Sequence, residues 1–110
     1  MAIAPRLRRL PTTLALGFEV AVAVGPRARL LGLAQLDRDA AGTGLLIPRC
    51  ASVHTFGMRF ALDLYFLGAD GEPVEIRREI GARRVISSRG ARAVLEIPSR
   101  QGGEFSSRRP

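Results

Sequence analysis

The sequence predicts a mostly β domain of the α+β class, a small antiparallel β-sandwich or partly closed barrel with one short helix. Short apolar runs with period-two alternation recur along the chain, glycine-containing turns separate them, and one stretch has helical periodicity. With 110 residues, 46% of them hydrophobic, the chain has material for one buried core. We therefore expect one β-rich domain over residues 18–100, between an N-terminal arm at residues 1–17 and a mobile tail at residues 101–110.

The first expected elements are a strand and the helix, after irregular structure at residues 1–13. Phe18 and Val20 begin an alternating pattern that indicates a strand over residues 18–24. Pro26 then begins a short helix, because the missing N–H of proline is harmless in a first helical turn. The apolar face of this helix comprises Leu30, Leu31, Leu33, Ala34 and Leu36, and a loop follows at residues 37–44.

Six further strand-like runs follow the loop. They lie at residues 45–47, 51–56, 61–67, 72–78, 84–86 and 93–97. Residues 69–71 separate two of these runs as a turn, with Gly71 in the left-handed conformation. A three-residue loop pairs Phe66 with Val74, whereas a two-residue loop would pair Phe66 with Glu75. Burial of one apolar face favours the first register.

The net charge of +7 comes from 17 basic residues, all of them arginine. Such a balance is typical of proteins that bind nucleic acids or anionic membranes. Several of the arginines lie in scattered pairs, namely Arg8–Arg9, Arg77–Arg78, Arg83–Arg84 and Arg108–Arg109. A base-stacking platform requires aromatic residues among the basic ones, and aromatic residues are not interleaved with these arginines. Nucleic-acid binding is therefore not favoured, and weak association through scattered arginines stays as an alternative.

The cysteine and histidine content limits covalent and metal chemistry. Cys50 and His54 are the only residues of their types, so a disulfide within the chain and a zinc site of the Cys/His type are impossible. We expect neither a metal nor a cofactor. The apolar stretch at residues 10–24 contains Pro11 and Glu19, which makes it too polar for a membrane span or an export signal. We therefore expect a cytoplasmic protein.

Side chains capable of catalysis or ligand binding are most concentrated at residues 49–65, in the run RCASVHTFGMRFALDLY. On an extended strand Cys50 and His54 point to the same side, although they lie about 13 Å apart. If the chain returns through a connection centred on Gly57, an antiparallel hairpin sets His54 opposite Asp63. A carboxylate orients a neighbouring imidazole. Cys50, His54 and Asp63 are thus candidates for a nucleophile, a base and an orienting acid.

Purely structural roles also fit the residues of this segment. Asp63 can pair with Arg77 on the next strand instead of with the imidazole. Met58 is typical of a core or loop plug. Thr55 and Arg59 can hold an anion or cap a turn. A catalytic and a structural interpretation of these residues therefore stand side by side.

The chain resembles a known family in three runs of sequence. The run GLLIPRCASVHTFGMRFALDLYFLGADGEPVEI, with RARLLGLAQL before it and AVLEIPSRQGGEF after it, resembles the family called domain of unknown function 192 from Phe18 to Phe105. The resemblance implies a compact, mostly antiparallel β structure with a short helix, and it supplies no activity, because the family has none established. The positions that match the family pattern are Arg29, Gly32, Leu33, His54, Thr55, Met58, Leu62, Asp63, Phe66, Gly71, Leu95 and Glu96.

The resemblance also bears on location and on catalysis. Many relatives carry an export signal, which this chain is expected to lack. Numerous relatives have a tryptophan–methionine pair where this chain has His54 and Thr55, so a catalytic role for His54 could not be general to the family.

Three functions follow from these observations. The first is a non-catalytic binding or accessory domain with a shallow polar site for a small anionic ligand or a partner segment. The expected ligand-binding residues are His54, Thr55, Met58, Arg59, Asp63 and Arg77. The second is a small hydrolase or thiol enzyme that uses Cys50, His54 and Asp63. The third is weak nucleic-acid association through the arginines.

Overall fold

The computed structural model describes residues 3–100, and its secondary structure is mostly β, as expected. The helical elements are short: α1 covers Pro5–Arg8, α2 covers Pro26–Leu31, and a 3-10 turn covers Asp39–Ala41. The strands are β1 (Thr12–Ala15), β2 (Phe18–Val22), β3 (Leu45–Pro48), β4 (Ser52–His54), β5 (Leu62–Leu67), β6 (Pro73–Ile80), β7 (Val85–Ser87) and β8 (Ala93–Pro98). The predicted tail at residues 101–110 lies outside the described residues.

Six strands form one mixed sheet in the order β1-β2-β3-β8-β5-β6, and β4 pairs with β7 in a second sheet. β2 and β3 run parallel, and every other neighbouring pair among residues 3–100 is antiparallel. A parallel pair needs a long crossover, which α2 and the loop after it supply here. β1 and β6 remain edges over the described residues, so the large sheet does not close into a barrel.

The large sheet is covered by apolar residues on both faces. The main core lies on the face that meets the small sheet and the segment after α2, and its largest fully buried members are Phe60, Phe66, Leu33, Leu45, Leu62 and Leu64. A smaller cluster comprises Val20, Leu67, Leu95 and Ile97. Because side chains alternate along a strand, β8 contributes Val94 to the main core and Leu95 to the smaller cluster.

The N-terminal segment forms part of the fold, so the expectation of irregular structure there is wrong. Leu7 in α1 is buried in the main core. Arg6 donates hydrogen bonds to the carbonyl oxygens of Gly32 at 3.0 Å and Ala34 at 2.7 Å. β1 then pairs with β2 as an edge strand. Both α1 and β1 have 4 residues, too few for a periodicity to show in the sequence.

The turn between β5 and β6 has the expected form, but the register of the hairpin differs. Gly71 has a φ of 83°, and residues 69–71 form the loop. A β-bulge then leaves Val74 unpaired, so that Phe66 pairs with Glu75. The predicted pairing of Phe66 with Val74 is therefore wrong.

The position of β6 at the sheet edge explains why the observed register is tolerated. Glu75 and Arg77 lie on the core side but reach past the core to solvent, where their charged groups are 3.6 Å apart. Val74 and Ile76 are exposed on the other side. An edge strand that carries charges and bulges is also protected from pairing with other chains.

Candidate functional site

The predicted hairpin that sets His54 opposite Asp63 is wrong. β4, which carries His54, pairs with β7, and His54 lies opposite Val85. β5, which carries Asp63, is already paired on both sides, with β6 and β8. β5 therefore offers no free edge to β4. The connection between them is instead used to fill the core, where Phe60 is fully buried.

His54 ties β4 to the end of α2. Its Nε2 lies 2.9 Å from the carbonyl oxygen of Leu30, and the backbone N–H of Phe56 donates to its Nδ1 at 3.2 Å. Because the Phe56 N–H makes Nδ1 the acceptor, Nε2 is the ring nitrogen that donates to the carbonyl oxygen of Leu30. Both ring nitrogens thus have backbone partners.

Asp63 lies on the side of β5 opposite to the main core. Its Oδ1 accepts a hydrogen bond from the backbone N–H of Glu79 at 2.9 Å, and its Oδ2 lies 3.4 Å from the Arg78 guanidinium. Glu79 has a φ of 54° and lies in a second β-bulge opposite Asp63. The ion pair expected with Arg77 forms with Arg78 instead, because this bulge changes which side chain faces the carboxylate. The hydrogen bonds of Asp63 hold the strand edge in shape.

Cys50 does not contact His54. Its Sγ donates a hydrogen bond to the carbonyl oxygen of Ser52 at 3.2 Å, and the half-buried side chain packs against the main core. The thiol therefore has no base beside it in the part of the chain that the structure describes. The arrangement needed for a Cys50–His54–Asp63 triad is not formed.

The remaining predicted ligand-binding residues are spread over the molecule. Thr55 is fully buried, where its Oγ1 donates to the carbonyl oxygen of Gly81 at 2.7 Å and accepts from the N–H of Arg84 at 2.8 Å. Met58 belongs to the main core. Arg59 forms an exposed ion pair with Asp37 at 2.9 Å. Together with Arg77 and Asp63 on the hairpin of β5 and β6, these residues do not form one site around His54.

Glu96 is a buried acidic residue outside the candidate sites predicted from the sequence. It lies on the central strand β8, paired with Leu45 on one side and Leu64 on the other, and it is 2% exposed. The backbone N–H of Leu33 donates to its carboxyl group, whereas its Oε1 has no hydrogen-bond partner among residues 3–100. Burial raises the pKa of Glu96 to about 7, against the opposing effect of the Leu33 hydrogen bond.

Glu96 lines a cleft of about 160 Å³ between α2 and β4. The walls and floor of the cleft are formed by Arg29, Leu30, Leu31, Gly32, Ile47, Ser52, Val53, His54 and Glu96. Arg29 fixes one wall, because its guanidinium donates to the carbonyl oxygens of Pro48 and Arg49, the latter at 3.0 Å. The hydrogen bond between His54 and Leu30 connects β4 to α2 beside the same cleft. We name this feature the α2–β4 cleft.

Gly32 permits the close approach of the carboxyl group to the chain. Its φ is 55°, and a Cβ atom built there would lie 2.8 Å from Oε1 of Glu96. A side chain would therefore fill the space beside the unpartnered oxygen. Glycine alone combines this backbone conformation with that proximity.

The sequence contained a sign of this site. AVLEIP reads as a buried strand, and Glu96 falls on the same face as the apolar Val94, where a charged residue is unusual. Of the positions matched to the family pattern, Arg29, Gly32, Leu33, His54 and Glu96 lie at or beside the α2–β4 cleft. A charged residue within an apolar strand pattern is therefore a sign of a buried polar site, and assigning the strand does not by itself reveal that site.

Residues 3–100 contain no group of three His, Cys, Asp or Glu side chains that could hold a metal ion. None of the helices in that range has the length and apolar character needed to cross a membrane.

The comparisons with known proteins concern the family and the fold. Residues 10–106 match the profile of the family described as DUF192, uncharacterized ACR. The crystal structure of a protein of unknown function from Novosphingobium aromaticivorans DSM 12444 is similar, with a TM-score of 0.58 and 21% sequence identity. The match covers 73% of this chain but only 62% of that one, less than two thirds of its length. At this identity the likeness shows the fold alone. No curated protein matches the sequence.

Proposed function

This chain belongs to the DUF192 family of uncharacterised proteins, and on that premise we propose that it is a non-catalytic binding module whose site is the α2–β4 cleft. The cleft takes one small polar group that donates a hydrogen bond to Glu96. The group belongs to a free ligand or to a segment of a partner.

The unpartnered Oε1 of Glu96 carries this proposal. A buried acceptor without a hydrogen-bond partner costs about 1–3 kcal/mol, and nearly all buried polar groups in native proteins have one. Two of the neighbouring side-chain donors, those of Arg29 and His54, are directed to backbone carbonyls instead. A donor brought in from outside would recover that cost.

The chemistry of the cleft favours a hydrogen-bond donor over the anion expected from the sequence. An acidic group forms its floor, and the nearest guanidinium, that of Arg29, is directed to the carbonyls of residues 48 and 49. Once Glu96 is ionised, above its raised pKa of about 7, it repels a carboxylate or phosphate. Amide, hydroxyl and ammonium groups are the classes that fit.

The thiol-enzyme alternative has lost its geometric support. Cys50 and His54 each bond to backbone carbonyls rather than to each other. Nucleic-acid association through the arginines stays a prediction.

The test is a titration of the ¹⁵N-labelled chain with acetamide and, separately, with acetate, followed by NMR at about pH 8, where Glu96 is ionised. We expect acetamide to shift the amide resonances of Gly32, Leu33 and Val53, and acetate to leave them unchanged. Glu96→Leu, which keeps the volume but removes the acceptor, should weaken acetamide binding by about tenfold. Asp63→Asn removes a carboxylate from the other side of the sheet and should leave binding as it is.

Two results would contradict the proposal. One is equal or stronger binding of acetate at the same resonances. The other is acetamide binding that the Glu96→Leu variant leaves unchanged although the variant is folded.

A further inference from the structure

Exposed apolar side chains surround His54 at the side of the α2–β4 cleft. Leu30 is 68% exposed, Phe56 is 52% exposed and Val85 is 65% exposed. They come from three different elements, namely α2, the loop after β4, and β7. Three large apolar residues held in water at one place indicate a surface that another molecule covers.

The contacts of His54 place the three residues next to one imidazole ring. Leu30 accepts the hydrogen bond of the imidazole, and Phe56 donates its N–H to the other ring nitrogen. The rings of His54 and Phe56 are 5.9 Å apart between centroids. Val85 is the cross-strand partner of His54, so their side chains lie on the same face of the small sheet. We name Leu30, Phe56 and Val85 the apolar rim.

The size of the cleft favours an occupant that also covers the apolar rim. Sites for free small molecules usually enclose about 300–1,000 Å³. The α2–β4 cleft has about 160 Å³, which is room for the end of one side chain. A free ligand of that size would have few contacts, whereas a side chain on a longer segment gains the burial of the apolar rim as well.

Charge limits the identity of the partner. Arg83 and Arg84 are exposed and directly precede Val85 of the apolar rim, and their backbone N–H groups donate to Thr55, the residue between His54 and Phe56. The whole chain carries a net charge of +7, so a second copy would be repelled. Acidic side chains on a partner would find two guanidinium groups at this edge.

We propose that the α2–β4 cleft and the apolar rim together bind an extended segment of an acidic protein partner. The segment lays apolar side chains on Leu30, Phe56 and Val85 and inserts one donor side chain, such as an amide or an amine, towards Glu96. Its acidic residues lie over Arg83 and Arg84. This inference rests on the proposed function of the cleft and names the class of its occupant.

The experiment is a selection of a random dodecapeptide phage library on the immobilised wild-type chain, followed by fluorescence-polarisation titrations with the enriched peptides. We expect the enriched peptides to share apolar and acidic residues around one Asn, Gln or Lys. Phe56→Ser, Leu30→Ser and Val85→Ser should each weaken binding by about tenfold or less, and together by more. The matched controls Leu14→Ser and Val74→Ser remove exposed apolar residues elsewhere, on β1 and β6, and should leave binding unchanged.

The outcomes separate this inference from the function on which it rests. If no peptide is enriched, or if the rim variants bind as well as the controls, the inference is overturned, while the acetamide titration still decides the function of the cleft. If the peptides depend on the apolar rim but bind Glu96→Leu equally well, the docking surface stands and the role of the cleft is overturned. Selection of peptides that lack acidic residues would overturn the assignment of an acidic partner.

Discussion

Glu96 is a single residue whose environment opposes its charge. Its pKa is raised to about 7 from an ordinary value of 4.5, first of all by burial. At pH values between 4.5 and about 7 the folded chain therefore binds more protons at this group than the unfolded chain does. The free energy of unfolding attributable to this group therefore falls as the pH rises from 4.5 to 7, and the cost of ionisation is complete above that window.

We expect Glu96→Gln to remove most of this pH dependence, because an amide cannot ionise. The unfolding free energy of the variant, minus that of the wild type, should rise by roughly 2–3 kcal/mol from about pH 5 to about pH 8. Urea unfolding of both chains at the two pH values measures the difference. Glu19→Gln makes the same charge change at an exposed position of β2 and should follow the wild type. Parallel curves for Glu96→Gln and the wild type would contradict the burial argument.

Gly32 is the residue that makes space for the carboxyl group. We expect Gly32→Ala to lower the unfolding free energy by roughly 2–4 kcal/mol, through backbone strain and a clash with Oε1 of Glu96. Gly90→Ala is the matched control, since Gly90 also has a positive φ, of 82°, but nothing within 4 Å of a built Cβ. It should cost only the strain, about 1–2 kcal/mol.

A double-mutant cycle isolates the clash in Gly32→Ala. In a Glu96→Ala background the two glycine substitutions should differ by much less, because the carboxyl group is gone. An unchanged difference between them would show that the carboxyl group is not the obstacle. Chemical denaturation provides all of these free energies.

At the scale of secondary-structure elements, the hairpin of β5 and β6 depends on its bulges. Asp63 faces the second bulge and accepts the N–H of Glu79, whose positive φ is unfavourable for a residue with a side chain. The carboxylate thus supplies the hydrogen bond that the irregular backbone lacks in the ladder. A residue that seemed available for catalysis from the sequence stabilises a strand edge.

We expect Asp63→Ala to lower the unfolding free energy by about 1–2 kcal/mol, because the N–H of Glu79 loses its acceptor. Asp37→Ala, which breaks the exposed ion pair with Arg59, should cost no more than about 0.5 kcal/mol. Thermal and urea unfolding of the two variants test the contrast. Equal losses would place Asp63 among ordinary surface ion pairs.

The sequence predicted local elements better than the partners of those elements. Pro26 begins α2 as expected, and the strand patterns around Leu45, Leu62 and Ala93 are strands in the structure. The predicted hairpin of β4 and β5, with His54 opposite Asp63, rests only on the two strands being consecutive in the chain. β8 and β6 pair with β5 instead, and alternation within a strand carries no information about such distant pairing.

The candidate site shows the same division between local pattern and tertiary contact. His54 was identified as a chemically notable residue, and it does line the α2–β4 cleft. Glu96 is separated from it by more than forty positions in the sequence, and their proximity depends on β8 lying next to β3. Register in β6 was missed for a related reason, since the extra residue Val74 is tolerated only because β6 is an edge.

For the whole molecule, the N-terminal segment seals the core rather than extending from it. Leu7 packs among residues of the main core, and Arg6 holds the chain after α2 through two carbonyl oxygens. The wall of the α2–β4 cleft is thereby supported from behind by α1. Stability of the site and stability of the N-terminal segment are coupled through these contacts.

We expect Leu7→Ala to lower the unfolding free energy by roughly 2–4 kcal/mol, since it leaves a cavity in the core. Leu14→Ala, at a position of β1 that is 74% exposed, should change it by less than about 0.5 kcal/mol. Urea unfolding under identical conditions compares the two variants. A small effect of Leu7→Ala would show that the N-terminal helix is not part of the cooperative unit.

The placement of β8 has a consequence for the order of events during synthesis. β8 joins β3 to β5, so a nascent chain shorter than residue 93 holds two unconnected groups of strands, β1-β2-β3 and β5-β6. Both groups then present bare hydrogen-bonding edges, which are the usual starting points of aggregation and the features that chaperones shield. The six-stranded sheet can therefore be completed only after β8, the strand that carries Glu96, has left the ribosome.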